Sequence, residues 1–338
     1  MVKKTSKTRH HVSKHGIEKT VNVTSNTVFQ GVKVYLAAVK DGYHQPRYKL
    51  ERYGSRLFAA GMESYLAKRS NYSHGHPKNA ARKILYSLPS FASWAELMPG
   101  SLALEPVHDP AHRKLPTGKR LGPITRRLFR HGLDPVGVRT RTLVASWLAH
   151  EYIADNASGK QLHWLSLAGG TTAPSMLMVE AAKVDKSSLY YANIDLDSAA
   201  ISIARGLVAY EKLKPSQTKL LIGDIFDRGL LAEASGKQPQ DIIDMMGIFE
   251  YFDDKKSIEL LTLALEFLKP GGIIIAGNMR LDHPQLNLHK RGIGWPDVIP
   301  RSNQQIINIC LRAGIKQNQL DIYQPADGVY SVFRVRKA

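Results

Sequence analysis

Three short segments of this chain carry side chains whose types and order could do chemistry. The first, Leu165-Ser166-Leu167-Ala168-Gly169-Gly170-Thr171-Thr172-Ala173-Pro174, ends an apolar run in small residues and then opens a helical one. Small residues at such a turn let a ligand approach the backbone, and the free N–H groups of the helix start behind them favour an anion. Taken alone it is more often just a tight turn. The second, Asn193-Ile194-Asp195-Leu196-Asp197, closes the next apolar run with a carboxylate. Beyond a strand's carboxyl end, Asp195 could accept both hydroxyls of a ribose, whereas Asp197 reads better as a helix N-cap. The third, Gly223-Asp224-Ile225-Phe226, ends a further run with another carboxylate, beside apolar neighbours able to sandwich a flat ring.

These segments need a common edge. From His163 onward, β-rich runs alternate with helical ones, which is the pattern of a parallel sheet covered on both faces. Strands are expected over 162–168, 188–195, 218–225, 241–248 and 272–278, and helices over 174–183, 198–212, 255–268 and 302–313. Two last strands, 320–324 and 329–336, flank Pro325-Ala326-Asp327-Gly328 and should pair antiparallel. Upstream, Asp134-Pro135 starts a helix over 136–153, and apolar spacing predicts helices over 50–68 and 77–97. The stretch 99–123, rich in Pro, Gly and His, reads as a long surface connection, a lid or an entry loop. The resulting organisation is a disordered basic tail over 1–25, a mainly helical region over 26–133 that forms a substrate site or lid, and a domain over 134–338.

Charge divides the chain at a similar place. Residues 1–150 hold 26 Lys and Arg against 8 Asp and Glu, while the remainder balances at 21 against 21. A basic half on a neutral one suits an acidic partner, whether nucleic acid, a phosphorylated substrate or an anionic membrane surface, or simply solvates the chain. The single Cys310 and the lack of any Cys/His cluster at zinc spacing fit a reducing compartment and predict no metal. No apolar run approaches the ~20 residues of a membrane span, and the N-terminus lacks the apolar core of a secretory signal. The expected location is the cytoplasm.

Over roughly 134–338 the sequence resembles the class I S-adenosylmethionine-dependent methyltransferases. Gly169 and Gly170, with Ala168 and Thr171, match the glycine-rich motif around the methionine moiety. Asp195, followed by Leu196, matches the ribose-binding acid, and Asp224 with Ile225 the adenine-contacting pair. The run Asp241-Ile-Ile-Asp-Met-Met-Gly-Ile-Phe-Glu-Tyr-Phe252 is similar to the fourth-strand motif bordering the methyl group, which brings in Met246. Leu268-Lys-Pro-Gly-Gly is similar to the entry to strand five. The resemblance implies an α/β, Rossmann-like, seven-stranded and mostly parallel sheet of order 3-2-1-4-5-7-6 with strand 7 antiparallel, and S-adenosyl-L-methionine as cofactor. The chain departs from the motif at Ser166, where an acid is usual, and at Ala168 and Thr172, where glycines are usual. A narrower similarity, through Gly247–Phe252, Gly277-Asn278-Met279, Trp295 and Arg301-Ser302, is to bacterial enzymes related to 3-hydroxy fatty acid methyl ester synthesis.

Methyl transfer needs alignment first, and a base only when the acceptor must lose a proton. His283, His289 and Tyr251 are the candidate catalytic groups, with Glu250 nearby, and Trp295 and Arg301 are candidate substrate contacts. Arg280 and Arg291 are further possible clamps, and Arg139 or Arg141 could reach the cofactor carboxylate. Each has a plainer reading as loop charge, helix-surface charge or packing. The favoured acceptor is a small or lipid-like molecule methylated on oxygen or a carboxyl group. An RNA or ribosomal-protein acceptor, and a non-catalytic cofactor-binding module, remain alternatives. A nicotinamide-dependent dehydrogenase is disfavoured by the absence of Gly-x-Gly-x-x-Gly.

Overall fold

The computed structural model describes residues 17–156 and 161–338, so the Lys/Arg/His-rich stretch over 1–16 lies outside the described residues. In chain order the elements are β1 (Val21–Phe29), β2 (Val32–Val39), α1 (Lys49–Ala67), α2 (Ala80–Tyr86), α3 (Pro89–Ala95), α4 (Glu105–His108), α5 (Pro123–His131), α6 (Leu133–Asn156), β3 (Leu162–Leu167), α7 (Ala173–Ala181), β4 (Leu189–Asp195), α8 (Ser198–Tyr210), β5 (Thr218–Ile222), α9 (Arg228–Ala234), β6 (Gln240–Met245), α10 (Asp254–Phe267), β7 (Leu268–Met279), α11 (Asn303–Arg312), β8 (Leu320–Pro325) and β9 (Tyr330–Arg336).

One sheet runs β1-β2-β8-β9-β7-β6-β3-β4-β5. Strands β3 to β7 are mutually parallel where they pair, and β9 lies antiparallel to both β7 and β8. Counted from β3, that is the expected 3-2-1-4-5-7-6 order, extended by two strands at the β8 edge. Alternate residues along each inner strand enter different cores. Leu165, Ile243 and Ile274 pack with α10 and α11, while Trp164, Ile242 and Ile275 pack with α6 and α7 on the other face. Each fully buried aliphatic chain of this kind contributes about 1.5–3 kcal/mol. Helix α6 is buried almost continuously from Gly137 to Ala149, because it lies between the sheet and a third core that α1, α2, α3 and α5 share with Met279, Leu288, Val298, Val329 and Tyr330.

Within the described residues, the added strands correct the expectation of a tail through 17–25 followed by helices; the rest of that expected tail, 1–16, lies outside them. Residues 21–39 form a hairpin whose second strand joins β8 in parallel. Its turn is Gln30-Gly31, with φ of 49° and 76°. A two-residue turn of this hand usually announces itself with Asn-Gly or Asp-Gly, so Gln in the first place hid it. The helix expected over 77–97 is broken in two, with Pro89 opening the second. The segment 99–123 is a surface connection only in part: 116–120 is exposed, whereas Ala103, Val107, Leu115 and Leu121, spaced between prolines and glycines, are buried together with His108 and tie the segment down. Helix α9 was not anticipated. Its seven residues are too few for periodicity, although Asp227 caps it. Among the described residues no helix is long and apolar enough to cross a membrane.

Candidate functional site

Because β3, β4, β5 and β6 are parallel, their carboxyl ends open on one crevice. A cavity of about 510 Å³ lies there, lined by Ala168, Gly169, Gly170, Thr171, Asp195, Leu196, Asp224, Ile225 and Met246. Every cofactor-contacting residue expected from the sequence therefore lines one cleft.

The turn after β3 is held by the protein before any ligand arrives. Gly170 has φ +56°, and a Cβ there would lie 2.4 Å from the Ser101 Cβ. Thus the segment before α4 rests on the glycine and roofs the cleft. The Gly170 N–H donates to Asp195 Oδ2 at 2.7 Å, and the Asp197 N–H donates to Asp195 Oδ1 at 2.8 Å. Each carboxylate oxygen keeps a further lone pair, so Asp195 can still accept two hydroxyls. Burial raises its pKa. Asp197 caps α8 through the N–H groups of Ala199 and Ala200, as its position suggested. Asp224 accepts from the Phe226 N–H at 3.0 Å, and Phe226 meets Phe252 edge to face at 5.3 Å, leaving an apolar wall beside a carboxylate. The Ser101 hydroxyl is buried without a partner in this cleft. Roof residues Ser101 and Glu105 were missed by sequence reasoning, since nothing local links them to Gly170. Burial raises the pKa of Glu105.

A second cavity, of about 90 Å³, adjoins the first. Its walls are apolar and aromatic, including Phe91, Trp94, Phe129 and Trp295. Leu104, Arg141, Gly247 and Tyr251 line both spaces and form the junction.

Of the expected catalytic residues, Tyr251 and His289 line this second cavity, whereas His283 lines neither cavity and is joined to His289 through Asp134, a residue read only as a helix start. Asp134, in the first turn of α6, accepts from His283 Nε2 at 2.6 Å through Oδ1 and from His289 Nδ1 at 3.0 Å through Oδ2. Although burial alone would raise its pKa, the two imidazoles hold the Asp134 carboxyl well below the usual range. Burial is the largest single influence on His283 and opposes its protonation, yet the Asp134 charge and hydrogen bond together with the smaller contributions of the backbone and Asp327 outweigh it, and its pKa rises. The other His283 nitrogen accepts the Gln285 N–H at 2.9 Å, so His283 is fully committed. His289 differs: its Nε2 is buried without a hydrogen-bond partner, and the residue lines the apolar cavity. The Tyr251 hydroxyl accepts the Trp295 Nε1–H at 2.5 Å, and burial raises its pKa.

The arginines sort by how their donors are spent. Arg301 does not line either cavity, contrary to expectation: it is consumed by Asp254, Asn278 and the carbonyls of Phe249 and Phe252. Arg291 is bound to the carbonyls of Leu66, Arg69 and Tyr72 and to Asn287, and Arg280 to Asp282. Arg139 is no surface charge but a buried strut to Asp41 and to the carbonyls of Val107, Phe129 and Arg130. Arg141 alone of these stands at the junction, with one bond to Glu250 at 3.3 Å and its guanidinium 4.3 Å from the centre of the Tyr330 ring.

No family model matches the chain, and no curated protein matches it in sequence. Among solved structures it is similar to a protein of Bordetella parapertussis described as a possible exported protein, at 18% identity and a TM-score of 0.55, over 84% of this chain and 96% of that one. It is also similar to the CurJ carbon methyltransferase, at 15% identity and a TM-score of 0.52, over 78% of this chain and 71% of that one. The chain has the Rossmann-like fold of these structures.

Proposed function

We propose that this chain is an S-adenosylmethionine-dependent methyltransferase acting on oxygen of a small molecule, with the first cavity holding the cofactor and the second the acceptor. The observation that carries this reading is the junction at Gly247 and Tyr251, which joins a ribose-competent carboxylate on one side to an unspent imidazole on the other. CurJ is named as a carbon methyltransferase, which supports the reaction class.

The residues present fit the cofactor. Asp195 would take the ribose hydroxyls, Asp224 and the Phe226–Phe252 wall the adenine, and the orphaned Ser101 hydroxyl with Glu105 the amino-acid end. When bound, S-adenosylmethionine supplies an electrophilic methyl group on a sulfonium, so the protein must align the acceptor and strip its proton. His289 is the base: with Nδ1–H given to Asp134, its Nε2 lone pair faces the acceptor chamber. Asp134 stabilises the imidazolium that forms, and His283 holds Asp134 in place. Tyr251, which accepts from Trp295, keeps its own proton to donate to the acceptor. The narrow aromatic chamber suits a small molecule better than a nucleic acid.

A His289→Gln variant, assayed by methyl transfer against a panel of hydroxylated and carboxylated acceptors, should lose ~10²–10⁴-fold in kcat on hydroxyl acceptors while binding S-adenosylhomocysteine as the parent does. Unchanged turnover would remove His289 as the base.

A further inference from the structure

Helix α1 is apolar on two opposite faces. Ala59, Met62 and Leu66 are buried against the helical layer. At 100° per residue, Leu50, Tyr53 and Leu57 fall on the other side, and they are 86%, 69% and 62% exposed. Among the described residues none covers this stripe. Phe58, beside it, is 41% exposed and yet also lines the apolar cavity, so the outer patch leads to the chamber assigned above to the acceptor.

The charges around the stripe have one sign. Arg47, Lys49 and Arg56 are exposed on or just before α1, while Arg52 is half-buried and donates to the Tyr43 carbonyl. Its two acids are turned inward and engaged: Glu51 pairs with Arg127, Arg130 and His131, and Glu63 accepts from the Asn287 side chain and the Leu288 N–H. An exposed apolar stripe with cations at its flank is the pattern of a helix that lies in the interface of an anionic bilayer. A second copy would bring the same cations against each other, which disfavours self-association through this face.

We infer that α1 docks the protein on an anionic lipid surface, with Leu50, Tyr53 and Leu57 inserted among the acyl chains, Lys49 and Arg56 at the headgroups, and a membrane-dissolved acceptor passing by Phe58 into the apolar chamber. The docking stands on this surface; the delivery rests on the proposed role of the chamber.

The test is sedimentation of the full chain with vesicles of equal parts phosphatidylglycerol and phosphatidylcholine, against phosphatidylcholine alone. Binding should be at least roughly ten-fold stronger to the anionic vesicles and should fall steeply with salt. The double variants Leu50→Glu with Leu57→Glu, and Lys49→Gln with Arg56→Gln, should each lose roughly ten-fold or more. Both should keep the parent's melting temperature and affinity for S-adenosylhomocysteine, because these side chains touch neither cavity. Equal sedimentation with both vesicle types would overturn the inference, as would variants that bind like the parent. A parent that is dimeric by light scattering and becomes monomeric in the leucine variant would assign the face to a second copy instead. Loss of vesicle binding with intact cofactor binding would leave the catalytic reading standing.

Discussion

Ser166 Oγ donates to Asp244 Oδ1 at 3.1 Å across the β3–β6 pair. Asp244 also accepts from Trp164 Nε1 at 2.7 Å and from the Ser175 hydroxyl at 3.4 Å. Ser166, where the resemblance leads one to expect an acid, thus stands beside a buried acid of the neighbouring strand.

That arrangement has a pH signature. Burial pushes the Asp244 carboxyl up from 3.8 to about 6, against the hydrogen bonds from Trp164, Ser166 and Ser175. A carboxyl with a higher pKa folded than unfolded favours folding in its protonated form, so its contribution is full below the unfolded value and is lost as pH rises through about 6. In urea unfolding, the parent should lose stability relative to Asp244→Asn between about pH 4 and pH 7, by about 1–3 kcal/mol. A difference that stays flat across that window would contradict the raised pKa.

Ala168 sits at φ +51°, in the left-handed region, at a position where the family pattern has glycine. Left-handed backbone costs a residue with a Cβ about 1–2 kcal/mol, partly offset by the greater freedom glycine has when unfolded. Ala168→Gly should therefore raise stability by about 0.5–1 kcal/mol, visible as a small upward shift in melting temperature. A lower melting temperature would mean that the Ala168 methyl group packs more favourably than its backbone is strained.

Gly170→Ala should act in the opposite sense. The new methyl would collide with Ser101 at 2.4 Å and force a positive φ on alanine, lifting the roof from the cleft. Affinity for S-adenosylhomocysteine should fall at least about ten-fold, or 1.4 kcal/mol. Adding Ser101→Gly should recover part of that loss, because it removes the colliding atoms. Non-interacting effects in this double-mutant cycle would contradict the contact.

The parts of the site legible in the sequence were those that a strand end delivers by itself. Gly170, Asp195 and Asp224 each follow a β-rich run, and parallel pairing brings such ends to one edge whatever the details of the fold. Asp134 and His289 lie 155 residues apart in sequence. They meet only because α6 is sandwiched between the sheet and the helical layer, and no spacing encodes that. The hidden roof has the same origin, since Ser101 reaches Gly170 from a segment whose composition resembled a loop. Arg301 misled for another reason: a cation in a polar stretch looks free until its donors are followed to the carbonyls of Phe249 and Phe252.

The most direct test of the central claim is calorimetric titration of the parent and of Asp195→Ala with S-adenosylhomocysteine. A binding isotherm for the parent, weakened at least about ten-fold in the variant, is the expected result. No binding to the parent at millimolar ligand, or equal affinity in the two proteins, would contradict the assignment of this cleft.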